Sequence, residues 1–139
     1  MATISILVAV YNAEKYLHKC LESLLSQTLH NIEIICVNDA STDSSLSILN
    51  AYAKKDERIK VVHLSQNVGI AKARNAGLRI STGQYIAFVD SDDWLSKDAC
   101  EKAFDVFTHY PLTDTVLFQV KNVYGDKDVD FIMPSFTTL

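Results

Sequence analysis

Short apolar segments alternate with longer segments of mixed polarity over about the first 90 residues of the chain. Each apolar segment is rich in β-branched residues and is apolar at nearly every position. This pattern is typical of strands that are covered on both faces of a parallel sheet. It predicts four strands, at residues 4–10, 32–37, 59–64 and 85–89.

The segments between these strands place apolar residues at helical spacing. Asn12 is the expected N-cap of the first helix, and Thr42 or Asp43 is that of the second. A third helix is predicted over residues 70–79, and Ser96 is the expected cap of a fourth. The apolar faces of the first two helices consist of Leu17, Cys20, Leu21, Leu24 and Leu25, and of Leu46, Leu49, Tyr52 and Ala53.

The alternation of strand and helix predicts an α/β fold of Rossmann-like type. Its mostly parallel central sheet is flanked by helices and joined by right-handed crossovers. We expect a single domain over residues 1–139. Residues 114–125 read as a further strand, at an edge. The apolar tail, residues 131–139, matches no element, and we expect it to be poorly ordered or to pack on a second protomer as a homodimer contact.

Charge and composition exclude several classes of protein. The formal net charge is −4 and the pI is near 5.4, whereas nucleic-acid-binding proteins usually carry a basic surface. No apolar run reaches the roughly 20 residues of a transmembrane helix, and the first residues lack the basic start of a signal peptide. The three cysteines, Cys20, Cys36 and Cys100, are far apart and are expected to be reduced and buried. We therefore expect a cytoplasmic protein with no transmembrane segment and no nucleic-acid partner.

The end of the fourth strand carries three carboxylates within four positions: Asp90, Asp92 and Asp93, with Ser91 between them. In parallel sheets, ligands bind at the carboxyl ends of the strands. Carboxylates this close repel one another, and Mg²⁺ or Mn²⁺ would relieve the conflict while also binding phosphate oxygens. The alternative is that Asp92 or Asp93 caps the following helix. The motif by itself leaves these two readings about even.

No glycine-rich phosphate loop follows the first strand. The four glycines of the chain lie at positions 69, 77, 83 and 125, well beyond the first strand-to-helix turn. A diphosphate at this edge of the sheet would therefore need its charge balanced in another way, and an acidic protein supplies little help by itself. A divalent cation held by Asp90 and Asp92 could do so.

Three further residues at or near the strand ends each have two readings. Asp39 could cap the helix that follows it, or accept a hydrogen bond from a ring N–H of a base. Tyr11 could be a core aromatic or a flat face for a nucleobase. Arg74 could be a solvated helix residue or a cation aimed at phosphate.

Four segments together resemble the family 2 glycosyltransferases, which have the GT-A fold. They are SILVAVYNAEKYLHKCLESLLSQT, IICVNDASTDSS, NVGIAKARNAGL and GQYIAFVDSDDWL. The resemblance covers about residues 3–124, in order and at the family's spacing. It implies a GT-A fold, a UDP-sugar donor, a divalent metal and an inverting transfer to a glycan or lipid-linked acceptor at the cytoplasmic face of the membrane.

The resemblance also implies a role for each matching position. Ala9, Val10 and Tyr11 would line the pocket for uracil and ribose, and Asp39 would accept the uracil N3–H. Asp90 would face the ribose and help to hold the metal, with Asp92 as the direct metal ligand. Ser91 and Arg74 would belong to the nucleotide site.

The chain departs from the family pattern in three respects. Ala9 and Asn38 stand where the family often has proline and aspartate, at positions to which we assign no direct contact through the side chain. Family members usually continue further, and the later part supplies the general base and most of the acceptor site. We therefore expect a C-terminally truncated, donor-binding chain that transfers poorly alone, with its catalytic base beyond Leu139.

Two rival functions remain at this stage. A non-catalytic nucleotide-binding or interaction module would have the same motifs in a naturally short chain. A nucleotidyltransferase would usually need a basic, glycine-rich loop near the first strand, and this chain has no such loop.

Overall fold

A computed structural model describes residues 2–118, 121–124 and 127–130 of the chain. These residues belong to two compact units, Met1–Lys102 and Ala103–Leu139. Helix α4, Ala99–His109, begins in the first unit and ends in the second. The other elements of the first unit are β1 Ile4–Val10, α1 Glu14–Leu25, β2 Ile32–Asn38, α2 Ser45–Ala53, β3 Ile59–His63, α3 Ile70–Leu78 and β4 Tyr85–Phe88.

The four strands of the first unit form a parallel sheet in the order β3-β2-β1-β4. Ile4 of β1 pairs with Ile32 of β2 on one side and with Tyr85 of β4 on the other. The chain builds outward from β1 to β3 and then returns to the opposite side of β1 with β4. The strand order therefore reverses between β1 and β4, which is where open α/β sheets leave a crevice for ligands.

Burial separates the central strands from the outer ones. Every residue of β2 is buried, and β1 is buried except at Ala9. Burial is incomplete along β3, and in β4 Ile86 and Phe88 are exposed. The expectation that strands are covered on both faces is therefore confirmed for β1 and β2. It is wrong for the outer strands β3 and β4.

Helix α1 packs through the face that its sequence predicts, and α3 packs closely on the sheet. The buried residues of α1 include Leu17, Cys20, Leu21 and Leu24, as the helical spacing predicts. Helix α3 approaches the sheet closely through Gly77, where an added Cβ would lie 2.9 Å from Leu7 Cδ2. Leu7, Ile35, Val37 and Ala73 form one buried cluster on this side. The core thus holds the start of α3 next to the carboxyl ends of β1 and β2.

A buried carboxylate joins the strands at the opposite, amino-terminal edge of the sheet. Glu33 accepts hydrogen bonds from Ser5 Oγ at 2.5 Å, from Lys60 Nζ at 2.6 Å and from the backbone N–H of Thr82 at 2.6 Å. Burial alone would raise the pKa of Glu33, but the bonds from Lys60, Ser5 and Thr82 outweigh it and lower the pKa to about 2. Gly83 N–H also reaches Ser5 Oγ, so this network anchors the turn before β4.

The region after α4 differs from the expected single strand over residues 114–125. Residues 113–118 carry no strand, and the strand begins only at Lys121. Strands β5, Lys121–Tyr124, and β6, Lys127–Asp130, form an antiparallel pair. The expectation for the apolar tail, residues 131–139, lies outside the described residues.

The three cysteines are free and buried, as expected. Burial raises the pKa of the Cys20 thiol to about 12 and that of Cys100 to about 11, and it raises the pKa of Cys36 as well. Thiols that hold their protons so firmly are poor nucleophiles and poor metal ligands. In the described part of the chain, no helix is both long and apolar enough to span a membrane.

Candidate functional site

An open cleft of about 470 Å³ lies at the carboxyl ends of β1, β2 and β4, next to the amino end of α3. Its position matches the reversal of strand order between β1 and β4. The lining residues are Ala9, Val10, Tyr11, Asp39, Asn67, Gly69, Ile70, Ala73, Asp90, Ser91 and Asp92. The structure thus brings together seven of the eight residues that the sequence assigns to the site, and the eighth, Arg74, contacts one of them.

Tyr11 is the aromatic residue of the cleft. It follows the last residue of β1, and 51% of its surface is exposed, whereas the adjacent Val10 is fully buried. The core-aromatic reading of Tyr11 is therefore wrong. An exposed ring at the mouth of a cleft offers a flat apolar face for stacking.

The backbone N–H groups that lead into α1 are bonded to side chains in this structure. The backbone N–H groups of Asn12, Ala13 and Glu14 donate to Ser41 Oγ, Ser45 Oγ and Asp43 Oδ2, at 3.1, 2.9 and 3.1 Å. Ser41 and Asp43 belong to the segment that leads into α2, and Ser45 is the first residue of α2. The positive end of the first helix, which binds pyrophosphate in dinucleotide folds, is therefore occupied by side chains.

The expected helix caps are redistributed by this arrangement. Asn12 is not the N-cap of α1: it has a positive φ of 50°, and its side-chain oxygen accepts the N–H of Thr42 at 2.8 Å. The N-cap of α2 is Ser44, so the expected cap by Thr42 or Asp43 is wrong, although Asp43 accepts the N–H of Ser45 at 2.9 Å. Ser44 N–H donates to Glu14 Oε2 at 2.9 Å. Each helix therefore supplies acceptors for the amino end of the other.

Asp39 holds the segment that precedes α3. It is 3% exposed, and its two carboxylate oxygens accept the N–H groups of Val68 and Gly69 at 2.8 and 2.9 Å. Asp39 does not cap α2, so that reading is wrong. Gly69 has a φ of 86°, a conformation that glycine adopts without strain, and it faces the cleft. Each carboxylate oxygen has further lone pairs, so Asp39 can accept an additional hydrogen bond.

Asp90 is already paired with a cation. Arg74 Nη2 lies 2.7 Å from Asp90 Oδ1, and the guanidinium lies 5.3 Å from the centre of the Phe88 ring. The side chains of Asp90 and Arg74 are 51% and 35% exposed, so the pair is open to exchange with solvent or ligand. Arg74 is therefore held beside the cleft by a carboxylate, while its side chain stays partly exposed to solvent.

The three acidic residues form a tight turn. Asp93 N–H donates to the Asp90 carbonyl at 3.0 Å. Burial raises the pKa of Asp93, and the charges of Asp92 and Asp90 raise it further. Helix α4 begins only at Ala99, so neither Asp92 nor Asp93 caps it. Its second residue, Cys100, donates its N–H to Gln27 Oε1 at 3.0 Å, and this contact replaces the expected cap by Ser96.

The carboxylates of the cleft could hold a hard divalent cation only if a bound ligand supplied further oxygen atoms. Among the described residues, no group of three or more His, Cys, Asp or Glu side chains is arranged to hold a metal ion. Asp90 and Asp92 both line the cleft, however, and the guanidinium of Arg74 shows that a cation is stable against Asp90. Mg²⁺ and Mn²⁺ commonly use one or two carboxylates and complete their coordination with phosphate oxygens and water. The residues present fit that mode of binding.

Four lining residues were not assigned to the site from the sequence: Asn67, Gly69, Ile70 and Ala73. Asn67 was recognisable only as a polar residue near the end of the third strand, and its Nδ2 donates to the Asp39 carbonyl at 3.3 Å. Gly69 was visible as one of four glycines in the chain. Ile70 and Ala73 are apolar helix residues and carried no functional signal.

Comparison with known proteins identifies relatives of this site. The family model described as Glycosyl transferase family 2 matches residues 5–133. The putative glycosyltransferase EpsH of Bacillus subtilis is 54% identical over 71% of this chain. The Escherichia coli UDP-Glc:alpha-D-GlcNAc-diphosphoundecaprenol beta-1,3-glucosyltransferase WfaP is 40% identical over 92% of it. The crystal structure of S. aureus TarS 1–349 in complex with UDP-GlcNAc covers 80% of this chain with a TM-score of 0.74 and 35% identity.

The chain spans only part of each of these proteins. It covers 28% of EpsH, 49% of WfaP and 32% of the TarS chain. The match to TarS confirms the α/β fold of GT-A type that the sequence predicted. The roles of the individual site residues are tested by none of these comparisons and stay predictions.

Proposed function

The chain belongs to glycosyltransferase family 2, and we propose that it forms the donor-binding part of a metal-dependent, inverting glycosyltransferase that uses a UDP-sugar. The observation that carries the proposal is the single cleft that unites Tyr11, Asp39, Asp90 and Asp92. An aromatic face, a buried carboxylate and two exposed carboxylates together suit a base, a ribose and a metal-bound diphosphate. The complexes of TarS with UDP and UDP-GlcNAc support this choice of ligand.

The base would lie against Tyr11, with its ring N–H donated to Asp39. Asp39 is well prepared for this role because the N–H groups of Val68 and Gly69 fix both of its oxygens. A carboxylate acceptor favours uracil, whose N3 carries a hydrogen, over cytosine, whose N3 does not. The network therefore supports selection of a uridine nucleotide over a cytidine nucleotide.

The diphosphate would be held through a divalent metal on Asp90 and Asp92, with Ser91 beside it. The N–H groups of Asn12, Ala13 and Glu14, at the entry to the first helix, are already bonded to side chains and so offer the diphosphate little. When bound, Mg²⁺ or Mn²⁺ would act as a Lewis acid that stabilises the departing diphosphate. Arg74 would leave Asp90 and place its positive charge near the nucleotide.

Transfer with inversion requires an acceptor hydroxyl that is activated by a general base and attacks opposite the leaving diphosphate. We propose that residues outside the described part of the chain supply this base and bind the acceptor, and that the acceptor is a glycan or lipid-linked sugar. The name of WfaP, a glucosyltransferase that acts on a diphosphoundecaprenol-linked sugar, supports that class of acceptor. We place the activity at the cytoplasmic face of the membrane, where such a donor and acceptor would meet.

Calorimetry with UDP tests the donor site, with Mn²⁺ present in one series and with EDTA in the other. We expect UDP to bind at least about tenfold more tightly with Mn²⁺, because Asp90 and Asp92 would hold the metal and its charge would offset that of the diphosphate. Asp92→Ala should remove this gain. Glu57→Ala, which removes an exposed carboxylate just before β3 at the opposite edge of the sheet, should retain it. Equal UDP affinity with and without Mn²⁺ in the wild-type protein would refute the metal-dependent site.

The rival non-catalytic module would bind the same ligand, so binding alone does not separate the two functions. Transfer is measured by incubating the full-length protein with UDP-sugars and lipid-linked acceptors and following the release of UDP. We expect release only when a suitable donor and acceptor are both present. Binding without release across such a panel would favour the module.

A further inference from the structure

We infer that Gln27 is a positioning residue for the acidic turn formed by residues 90–93, and that it acts through the segment that follows this turn. Gln27 is 1% exposed and lies just after the end of α1. Its Nε2 donates to the carbonyl oxygens of Ser96 and Ser23, at 2.8 and 3.0 Å, and its Oε1 accepts the N–H of Cys100 at 3.0 Å. The inference rests on the proposed metal-dependent donor site.

Gln27 is the buried member of a clamp between α1 and residues 95–101. Ser23 Oγ accepts the N–H of Leu95 at 3.2 Å, and Thr28 N–H donates to the Lys97 carbonyl at 2.9 Å. Thr28 Oγ1 also donates to Glu101 Oε2 at 2.7 Å. The carboxyl end of α1 therefore fixes this segment through both backbone and side-chain groups.

The other end of the acidic turn is fixed by the sheet. Val89 N–H donates to the Leu7 carbonyl at 3.1 Å, and the Cys20 thiol lies 3.7 Å from the Asp90 carbonyl. The turn thus runs between β1 on one side and the α1 clamp on the other. The Lys19 ammonium, 3.2 Å from the centre of the Trp94 ring, adds a third contact with α1 just after the turn.

The contacts at both ends of the acidic turn matter for metal binding because the turn holds like charges close together, which is unfavourable. Three carboxylates, those of Asp90, Asp92 and Asp93, lie within four positions, so like charges are held close together in the turn. Without a fixed far end, repulsion would let the carboxylates move apart and would leave the metal to gather them. A ligand that must first order its site binds more weakly by the free energy of that ordering.

The amide of glutamine suits the position because it donates and accepts at the same time. Glutamate could accept from Cys100 N–H but would place a negative oxygen against two carbonyls. Methionine has a similar length and would fill the space without forming any of the three strong bonds. Gln27→Met therefore removes the clamp's central bonds with little change in volume.

The test compares the gain in UDP affinity on adding Mn²⁺ in the wild-type protein, in Gln27→Met and in Glu33→Gln. We expect the gain to fall by about tenfold in Gln27→Met, while UDP affinity in EDTA changes by less than about twofold, because Tyr11 and Asp39 are on other elements. Glu33→Gln is the control: it removes a buried network at the opposite edge of the sheet, so it should lower thermal stability and leave the gain intact. All measurements are made at a temperature at which each variant is folded.

Ser23→Ala provides a milder second variant in case Gln27→Met fails to fold. It removes the bond to Leu95 N–H and should reduce the gain by about two- to fivefold. A folded variant that is less stable but keeps the full gain would show that the clamp only stabilises the fold, and would overturn the inference. If the wild-type protein itself shows no gain with Mn²⁺, the proposed function fails and the inference fails with it.

Discussion

Ala40 adopts a backbone conformation that disfavours its own side chain, so replacing it with glycine should stabilise the protein. It follows Asp39 at the end of β2 and has a φ of 55°, in the left-handed region. There the Cβ of an L-residue crowds the following carbonyl, at a cost of roughly 1–2 kcal/mol. Glycine avoids this cost but has more freedom in the unfolded chain, which offsets about 0.4–1 kcal/mol. The net expectation is an increase of about 0.5–1 kcal/mol in the free energy of unfolding.

The matched control is Ala51→Gly, the same chemical change at an exposed position inside α2. Glycine in a helix interior is less favourable than alanine by about 1 kcal/mol, so this variant should be destabilised. The two substitutions should therefore differ by about 1.5–2 kcal/mol and have opposite signs. Because both variants lose one methyl group, the comparison isolates the backbone conformation from side-chain volume.

Urea unfolding at pH 7, followed by circular dichroism, measures both effects as shifts of the midpoint at constant slope. Ala40→Gly should raise the midpoint and Ala51→Gly should lower it. If Ala40→Gly destabilises the protein as much as Ala51→Gly does, the strain assigned to Ala40 is absent and the reasoning is refuted. UDP binding by Ala40→Gly should be unchanged, since the substitution preserves the turn that presents Asp39.

Three further predictions concern the sheet edge and the cleft. The pKa of Glu33 is about 2 in the folded protein against a usual 4.5, so its stabilising contribution is complete above about pH 4.5 and is lost as the pH falls towards 2. Across this range, the free energy of unfolding measured by urea titration should fall by on the order of 3 kcal/mol more in the wild-type protein than in Glu33→Gln. Parallel curves for the two proteins would contradict this expectation. Gly83→Ala should lower the free energy of unfolding by about 1–3 kcal/mol or more in the same assay. The added Cβ would lie 2.5 Å from the backbone nitrogen of Ser5, which cannot move aside. An unchanged free energy of unfolding would show that the turn can shift. In the absence of UDP, Arg74→Ala should bind Mn²⁺ about two- to fivefold more tightly than the wild-type protein does, as measured by calorimetry. The reason is that an exposed ion pair worth up to about 1 kcal/mol no longer competes with the metal for Asp90. Weaker binding by the variant would show that Arg74 does not oppose the metal.

Much of the fold follows from local pattern. Strand β1 has the predicted bounds, and β2 to β4 and α3 end within a residue of their predicted limits. Helical spacing and strand periodicity depend on neighbours a few positions apart, so they are legible in one dimension. The segment 114–125 differs from the predicted single strand: residues 114–118 carry no strand, and residues 121–124 form one.

The location of the candidate site could be predicted from the sequence for a related reason. Parallel strands bring their carboxyl ends to one edge, so residues at the ends of β1, β2 and β4 had to converge once the fold was correct. The acidic turn and Asp39 could therefore be assigned to one cleft from the sequence. The sequence could not decide between their alternative roles. Capping depends on where the next helix begins, and α4 begins only at Ala99.

The sequence by itself determined the class of fold, the edge of the sheet that carries the chemistry and the family to which the chain belongs. Tertiary structure alone decided the hydrogen-bond partners: Asp39 with Val68 and Gly69, Gln27 with Cys100, and Ala13 with Ser45. These bonds join residues from 29 to 73 positions apart. A hydrogen bond depends on distance and direction to within a few tenths of an ångström. No local pattern encodes that geometry, which arises only when the packed sheet and helices bring distant segments together.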